Sequence, residues 1–120
     1  MKKDNVIINK SKNFAIEAIN IYKLLKDEKK EFILSKQFLR SSTSIGANIR
    51  EGINSISKKE FISKLNISLK EAYETEYWLE LLFETDYINE KQFENLKLKC
   101  IEIIKLLTAI IKTTTKNYKL

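Results

Sequence analysis

The feature that most constrains this chain is the scarcity of anything that stops a helix. It contains no proline, and its only two glycines, Gly46 and Gly52, lie in the segment Arg40-Ser-Ser-Thr-Ser-Ile-Gly-Ala-Asn-Ile-Arg-Glu-Gly52. Proline and glycine are the residues that break helices and open turns, so a chain this poor in both reads as all-α. No stretch alternates apolar and polar residues with period two for long enough to compete as a strand. Residues 1–120 are expected to form one domain, long enough to bury a core without staples.

Apolar residues recurring at steps of three and four mark four helices, expected at about 8–26, 36–55, 58–84 and 90–114. In the first, Ile7, Phe14, Ala18, Ile21 and Leu25 make the stripe, with Ser11 at the missing step. Asp27 to Glu31 reads as a solvated connection and Ser35 as the cap of the second helix. The second seam, Phe38, Ser42, Ile45, Ile49, Gly52 and Ile56, runs straight through the glycine-bearing segment. Its small residues suit close packing of a neighbouring helix better than a phosphate slot at Ser42, Gly46 and Ala47. Ser57-x-x-Glu60 and Asn89-x-x-Gln92 match capping boxes that open the third and fourth helices. The third seam is Ile62, Leu65, Leu69, Ala72, Glu76, Leu79 and Phe83. The fourth is Phe93, Leu96, Cys100, Ile103, Leu107 and Ile110.

Helices of this length joined by short connections predict an antiparallel up-down-up-down four-helix bundle with left-handed crossing. Second stripes on the third helix (Phe61, Trp78, Leu82) and the fourth (Ile101, Ile104, Ile111, with Leu98 nearby) predict burial on two sides and hence self-association, the alternative being a broad bundle core. No apolar run approaches a membrane span and no signal-peptide core follows Met1, so a cytoplasmic protein away from membranes is expected.

Charge is uneven along the chain. Residues 1–70 carry 15 basic and 7 acidic side chains, residues 71–96 carry 1 and 8, and residues 97–120 carry 6 and 1. The net charge of +6 offers a surface for an anionic partner, RNA or DNA, but an acidic block between basic ones points as readily to internal or intersubunit pairing, or to a docking surface for another protein. The candidate nucleic-acid ligands are Lys10, Lys12, Arg40, Arg50, Lys58, Lys59 and Lys64. Tyr73, Tyr77 and Trp78 have the chemistry to stack on bases, though their places on the third helix favour packing.

Catalysis finds little support. The chain has no histidine and one cysteine, Cys100, at a core position. Glu51, Glu71 and Glu74 invite a carboxylate metal centre, but bundle sites of that kind draw on Glu-x-x-His pairs. No enzyme activity, catalytic residue, metal or cofactor is therefore expected. Asn48, Glu51 and Glu76 read instead as polar groups at the core that fix helix register. Glu76 requires a counter-ion or a raised pKa, with Arg40, Arg50 or a lysine as the natural partners.

Three segments resemble a known family: Phe38 to Gly52, Ser57-Lys-Lys-Glu-Phe-Ile62, and Leu69-Lys-Glu-Ala-Tyr-Glu-Thr-Glu-Tyr-Trp-Leu-Glu-Leu-Leu82. They are similar to the bacterial four-helix bundle proteins encoded by intervening sequences in 23S ribosomal RNA genes, to which the accessory variability protein of diversity-generating retroelements is related. The resemblance implies an antiparallel bundle assembled as a homopentamer. The retroelement relatives further imply a reverse transcriptase and nucleic acid as partners. It implies no established activity for the intervening-sequence members.

Overall fold

The computed structural model describes residues 2–117, with side chains from Val6 onward. They form α1 (Lys2–Asp27), α2 (Leu34–Ile53), α3 (Lys58–Glu84) and α4 (Glu90–Asn117), which makes the chain all-α. The helices build a rod of 50 × 21 × 21 Å. Each packs on its neighbours in chain order, and α4 returns to pack on α1. Contacts between α2 and α3 run in opposite directions along the two helices: Ser41 meets Thr75, Ile45 meets Ser68, and Gly52 lies against Leu65. α1 and α4 are likewise antiparallel, with Lys10 on Glu102 and Glu17 on Lys99. The core is filled by Phe14, Phe38, Ile45, Ile49, Leu65, Leu79, Leu96, Ile103 and Leu107 among others.

α2 begins earlier than expected because its cap is not Ser35. The Glu31 carboxylate accepts hydrogen bonds from the backbone N–H groups of Ile33 (3.2 Å), Leu34 (3.0 Å) and Ser35 (2.7 Å). The Ser35 hydroxyl, fully buried, donates back to the Glu31 carbonyl at 2.7 Å. These N–H groups have no partner within the helix, and one carboxylate satisfies three of them. Glu31 is thus a structural residue within what reads as a solvated linker. The other end of α2 is also corrected: the helix stops at Ile53 and Ile56 sits in the turn, 98% exposed.

α3 has the expected limits, with the Ser57 side chain accepting from the Glu60 N–H at 3.1 Å. Its buried face is rotated from the expected seam, to Leu65, Ser68, Ala72, Thr75, Leu79 and Leu82. Small hydroxyl residues displace Leu69 and Glu76 from the centre because they occupy little room and can be satisfied there. Ser68 donates to the Ile45 carbonyl at 2.7 Å, and Thr75 Oγ1 lies 2.8 Å from the Glu71 carbonyl. Phe83 moves to the flank and stacks on Phe93, with centroids 4.4 Å apart and planes 7° from parallel. α4 opens with the full reciprocal box: Asn89 N–H to Gln92 at 2.9 Å, and Gln92 N–H to Asn89 at 2.8 Å.

The second stripes are taken up within the bundle only in part. Leu82 is fully buried, and Phe61, Trp78, Ile104 and Ile111 pack against the core of the same bundle. A broad core accounts for these five residues, while Ile101 is half-buried outside that cluster and the neighbouring Leu98 is exposed.

Candidate nucleic-acid interface

The seven cationic candidates divide into two groups by what holds them. Lys10 pairs with Glu102 at 2.9 Å and Lys64 with Glu51 at 3.0 Å. Arg40 reaches across to α3, placing Nη1 3.1 Å from Glu71 and Nη2 2.5 Å from Glu74. Lys12, Arg50, Lys58 and Lys59 are exposed and make no ion pair among the described residues.

Arg40 is consumed by this arrangement. Hydrogen bonds to Glu74 and then Glu71 hold its guanidinium charged, raising its pKa further. Burial pushes the Glu74 carboxyl up, but hydrogen bonds involving Arg40, Glu71 and Trp78 outweigh it and leave the group below the usual carboxylate range. Trp78 Nε1 donates to Glu74 at 3.3 Å. With two carboxylates on one guanidinium, Arg40 clamps α2 to α3 and has no fork left for a phosphate.

Arg50, Lys58, Lys59 and Lys64 come together where α2 turns into α3. A shallow depression of ≈ 530 Å³ there is lined by Arg50, Glu51, Asn54, Ser55, Ile56, Glu60 and Lys64. Lys10 and Lys12 flank Ser11, which faces Gly46 of α2, so they lie at the edge of the same end of the rod. The first turn of α3 adds the partial positive charge of a helix N-terminus, offset by Glu60.

The three register residues are placed differently from expectation. Asn48 is half-buried and its amide donates to the Ser44 carbonyl of its own helix at 2.8 Å, so it does not bridge helices within the bundle. Glu51 is exposed and serves Lys64. Glu76 is half-buried at the edge of the core, where Thr75 takes the central position, and it makes no ion pair among the described residues. Register is instead held by Ser41, Ser68 and Thr75, which sequence reasoning passed over in favour of larger apolar neighbours. Ser42 is fully buried as expected, and its hydroxyl has no hydrogen-bond partner among the described residues.

The carboxylates weighed as metal ligands are engaged by cations: Glu51 by Lys64, Glu71 and Glu74 by Arg40. Among the described residues no three ligand-type side chains gather. Cys100 is buried with its thiol 3.3 Å from the Ala72 carbonyl. Burial, and then the charge of Glu76, pushes the thiol up to about 12, which keeps it protonated and unreactive. Tyr73 and Tyr77 are exposed, but they lie beside the acidic stretch of α3 rather than among the free cations. Sequence reasoning also missed Lys105, Lys112 and Lys116, exposed on α4 at the same end as Arg50. Their spacing of seven and four residues, which puts them on one helix face, was the available signal. No described helix is long and apolar enough to cross a membrane.

The comparison with curated proteins returned no match. The chain is similar to a crystal structure of a protein of unknown function from the S23 ribosomal protein family of Bacteroides thetaiotaomicron VPI-5482. Identity is 58% over 92% of this chain and 98% of that one, with a TM-score of 0.90. The model of the 23S rRNA-intervening sequence protein family matches residues 3–109. That match spans all four helices, and with the shared fold it makes the chain a member of the 23S rRNA-intervening sequence protein family.

Proposed function

We propose that this chain is a non-enzymatic, self-associating helical bundle that binds RNA or DNA weakly through charge. The observation that carries the reading is the set of exposed cations, Lys12, Arg50, Lys58 and Lys59, that no carboxylate neutralises among the described residues. Arg40 leaves the set of ligands, and Lys10 and Lys64 contribute only by exchanging a carboxylate for a phosphate. A non-catalytic role is supported by the protonated, buried Cys100, the carboxylates already engaged by cations, and the lack of histidine. The homopentamer comes from the family resemblance, and exposed Tyr73, Tyr77 and Leu98 are available to line such contacts. A reverse transcriptase stands as partner by analogy alone.

Titration of labelled RNA and DNA across salt tests the binding. Charge-driven contact weakens linearly in log–log form, and absence of binding at low salt overturns it. Light scattering on the eluting protein tests assembly: a 14.1 kDa particle at micromolar concentration contradicts it. A second reading, a scaffold for a basic protein partner, is favoured by the acidic stretch of α3 with Tyr73 and Tyr77 exposed on it. A recurrent protein partner that survives nuclease treatment supports the scaffold over the nucleic-acid reading.

A further inference from the structure

The fold sorts charge along the long axis of the rod. In sequence the blocks run basic, acidic, basic, but the antiparallel path lays the acidic stretch of α3 at one end. Ser11 against Gly46, Ile45 against Ser68 and Lys10 against Glu102 mark a common level across the helices. Toward the α2–α3 turn, residues 6–12, 45–68 and 103–117 carry nine basic and two acidic side chains. On the other side, residues 13–44 and 69–102 carry ten basic and thirteen acidic side chains. The rod therefore has a strongly cationic pole and a mildly anionic one.

Three of the pole's cations are Lys105, Lys112 and Lys116 of α4, all exposed. Seven and four residues apart, they form one outward stripe. A lysine in the last turn offsets the negative end of the helix dipole, which accounts for Lys116. It does not account for Lys105 and Lys112, which precede that turn and have no acidic partner among the described residues.

Resting on the charge-driven reading above, we propose that this pole is the docking surface for the phosphate backbone of a double-helical nucleic acid. Lys105, Lys112 and Lys116 act together with Arg50, Lys58 and Lys59, and no base is read. A duplex carries one charge per roughly 1.7 Å of axis, so a length matching the 21 Å cross-section of the rod carries about 12 of them, counted over both strands. Single-strand sites combine cations with aromatic stacking platforms. Here Tyr73, Tyr77 and Trp78 lie in the acidic half, and Phe61 at the pole packs against the core. Five of these six cations are lysines, point charges without the rigid planar fork of arginine, which suits contact with the backbone.

The test uses the full chain and labelled duplexes of about 20 bp, two helical turns. RNA and DNA versions of one sequence, and its single strand, are titrated by fluorescence anisotropy across salt. Two variants lose the same net charge: K105E/K112E/K116E at the pole, and K23E/K29E/K91E in the other half, with circular dichroism to confirm helicity. The expected result is that the pole variant weakens duplex binding at least about tenfold and flattens the log–log salt slope by about 2.7, roughly 0.9 per lost contact. The other variant stays near wild type. Comparable affinity for both duplexes supports pure backbone docking, and preference for one identifies the natural helix. Equal loss in both variants overturns the pole, and tighter binding of single strands overturns the duplex assignment. Both of those outcomes leave charge-driven binding standing. If wild type binds no nucleic acid but binds anionic vesicles, the reading underneath fails and the pole belongs to a membrane surface.

Discussion

The hydroxyls of Ser41 and Thr75 meet across α2 and α3 at 2.8 Å, both side chains fully buried. Each hydroxyl also has a carbonyl of its own helix, Ser41 that of Phe38 at 3.3 Å and Thr75 that of Glu71 at 2.8 Å, so removing one costs the cross-helix bond, about 0.5–1.5 kcal/mol, and removing both costs less than the two losses added. Thr75→Val is therefore expected to lower stability by about 0.5–1.5 kcal/mol in urea unfolding. The S41A/T75V double variant should show a favourable coupling; strict additivity would mean that the pair does not set register.

Gly52 tests the close approach of the same helices. A Cβ built there meets Leu65 Cδ1 at 2.9 Å and Lys64 Cβ at 3.2 Å. Overpacking of this kind costs about 1–3 kcal/mol, more than the roughly 1 kcal/mol that alanine gains in a helix. Gly52→Ala should destabilise. At Gly46 the nearest atom is Ser11 Oγ at 3.3 Å, the end of a short side chain that can rotate. Gly46→Ala should be close to neutral, and thermal denaturation of the two variants separates them.

Glu31 links stability to acid. Burial pushes its carboxyl up, but the N–H groups of Ser35, Leu34 and Ile33 outweigh burial and hold it below its ordinary value of 4.5. A depressed folded pKa contributes stability that is fully present above about 4.5 and is lost as pH falls through the folded value. Glu31→Ala should cost about 1–2 kcal/mol at neutral pH as a lost cap, and the variant should lose less than wild type on acidification. Parallel melting-temperature profiles from pH 7 downward would contradict this account of the α2 cap.

Cys100 reports global opening. With the thiol buried and raised to about 12, labelling by a thiol reagent at mild alkaline pH should proceed only through unfolded molecules. Its rate should follow unfolding across a denaturant series, and rapid labelling of the native protein would contradict the placement of Cys100.

The helices and much of the core were legible because the periodicity of α1, α2 and α4 is strong, interrupted only by the small residues Ser11, Ser42 and Gly52. α3 was harder. Leu69, Glu76 and Phe83 make a more apolar-looking stripe than Ser68, Thr75 and Leu82, but hydroxyls that find carbonyls or each other fit a closer helix contact. Glu31 was misread because a glutamate in a charged linker looks solvated until the helix N-terminus that it serves is in place. The interface was legible only in part. Arg40 and Arg50 look alike in sequence, yet the carboxylates that claim Arg40 sit 31 and 34 residues away on another helix. Charge segregation between the poles is a property of the folded path, invisible in a list of blocks.

The central claim is that this bundle holds nucleic acid by charge. Its most direct test is the affinity of the full chain for an RNA or DNA duplex measured from low to physiological salt. The account predicts measurable binding at low salt, with log K falling linearly as log salt rises. No binding at low salt, or an affinity indifferent to salt, would contradict it.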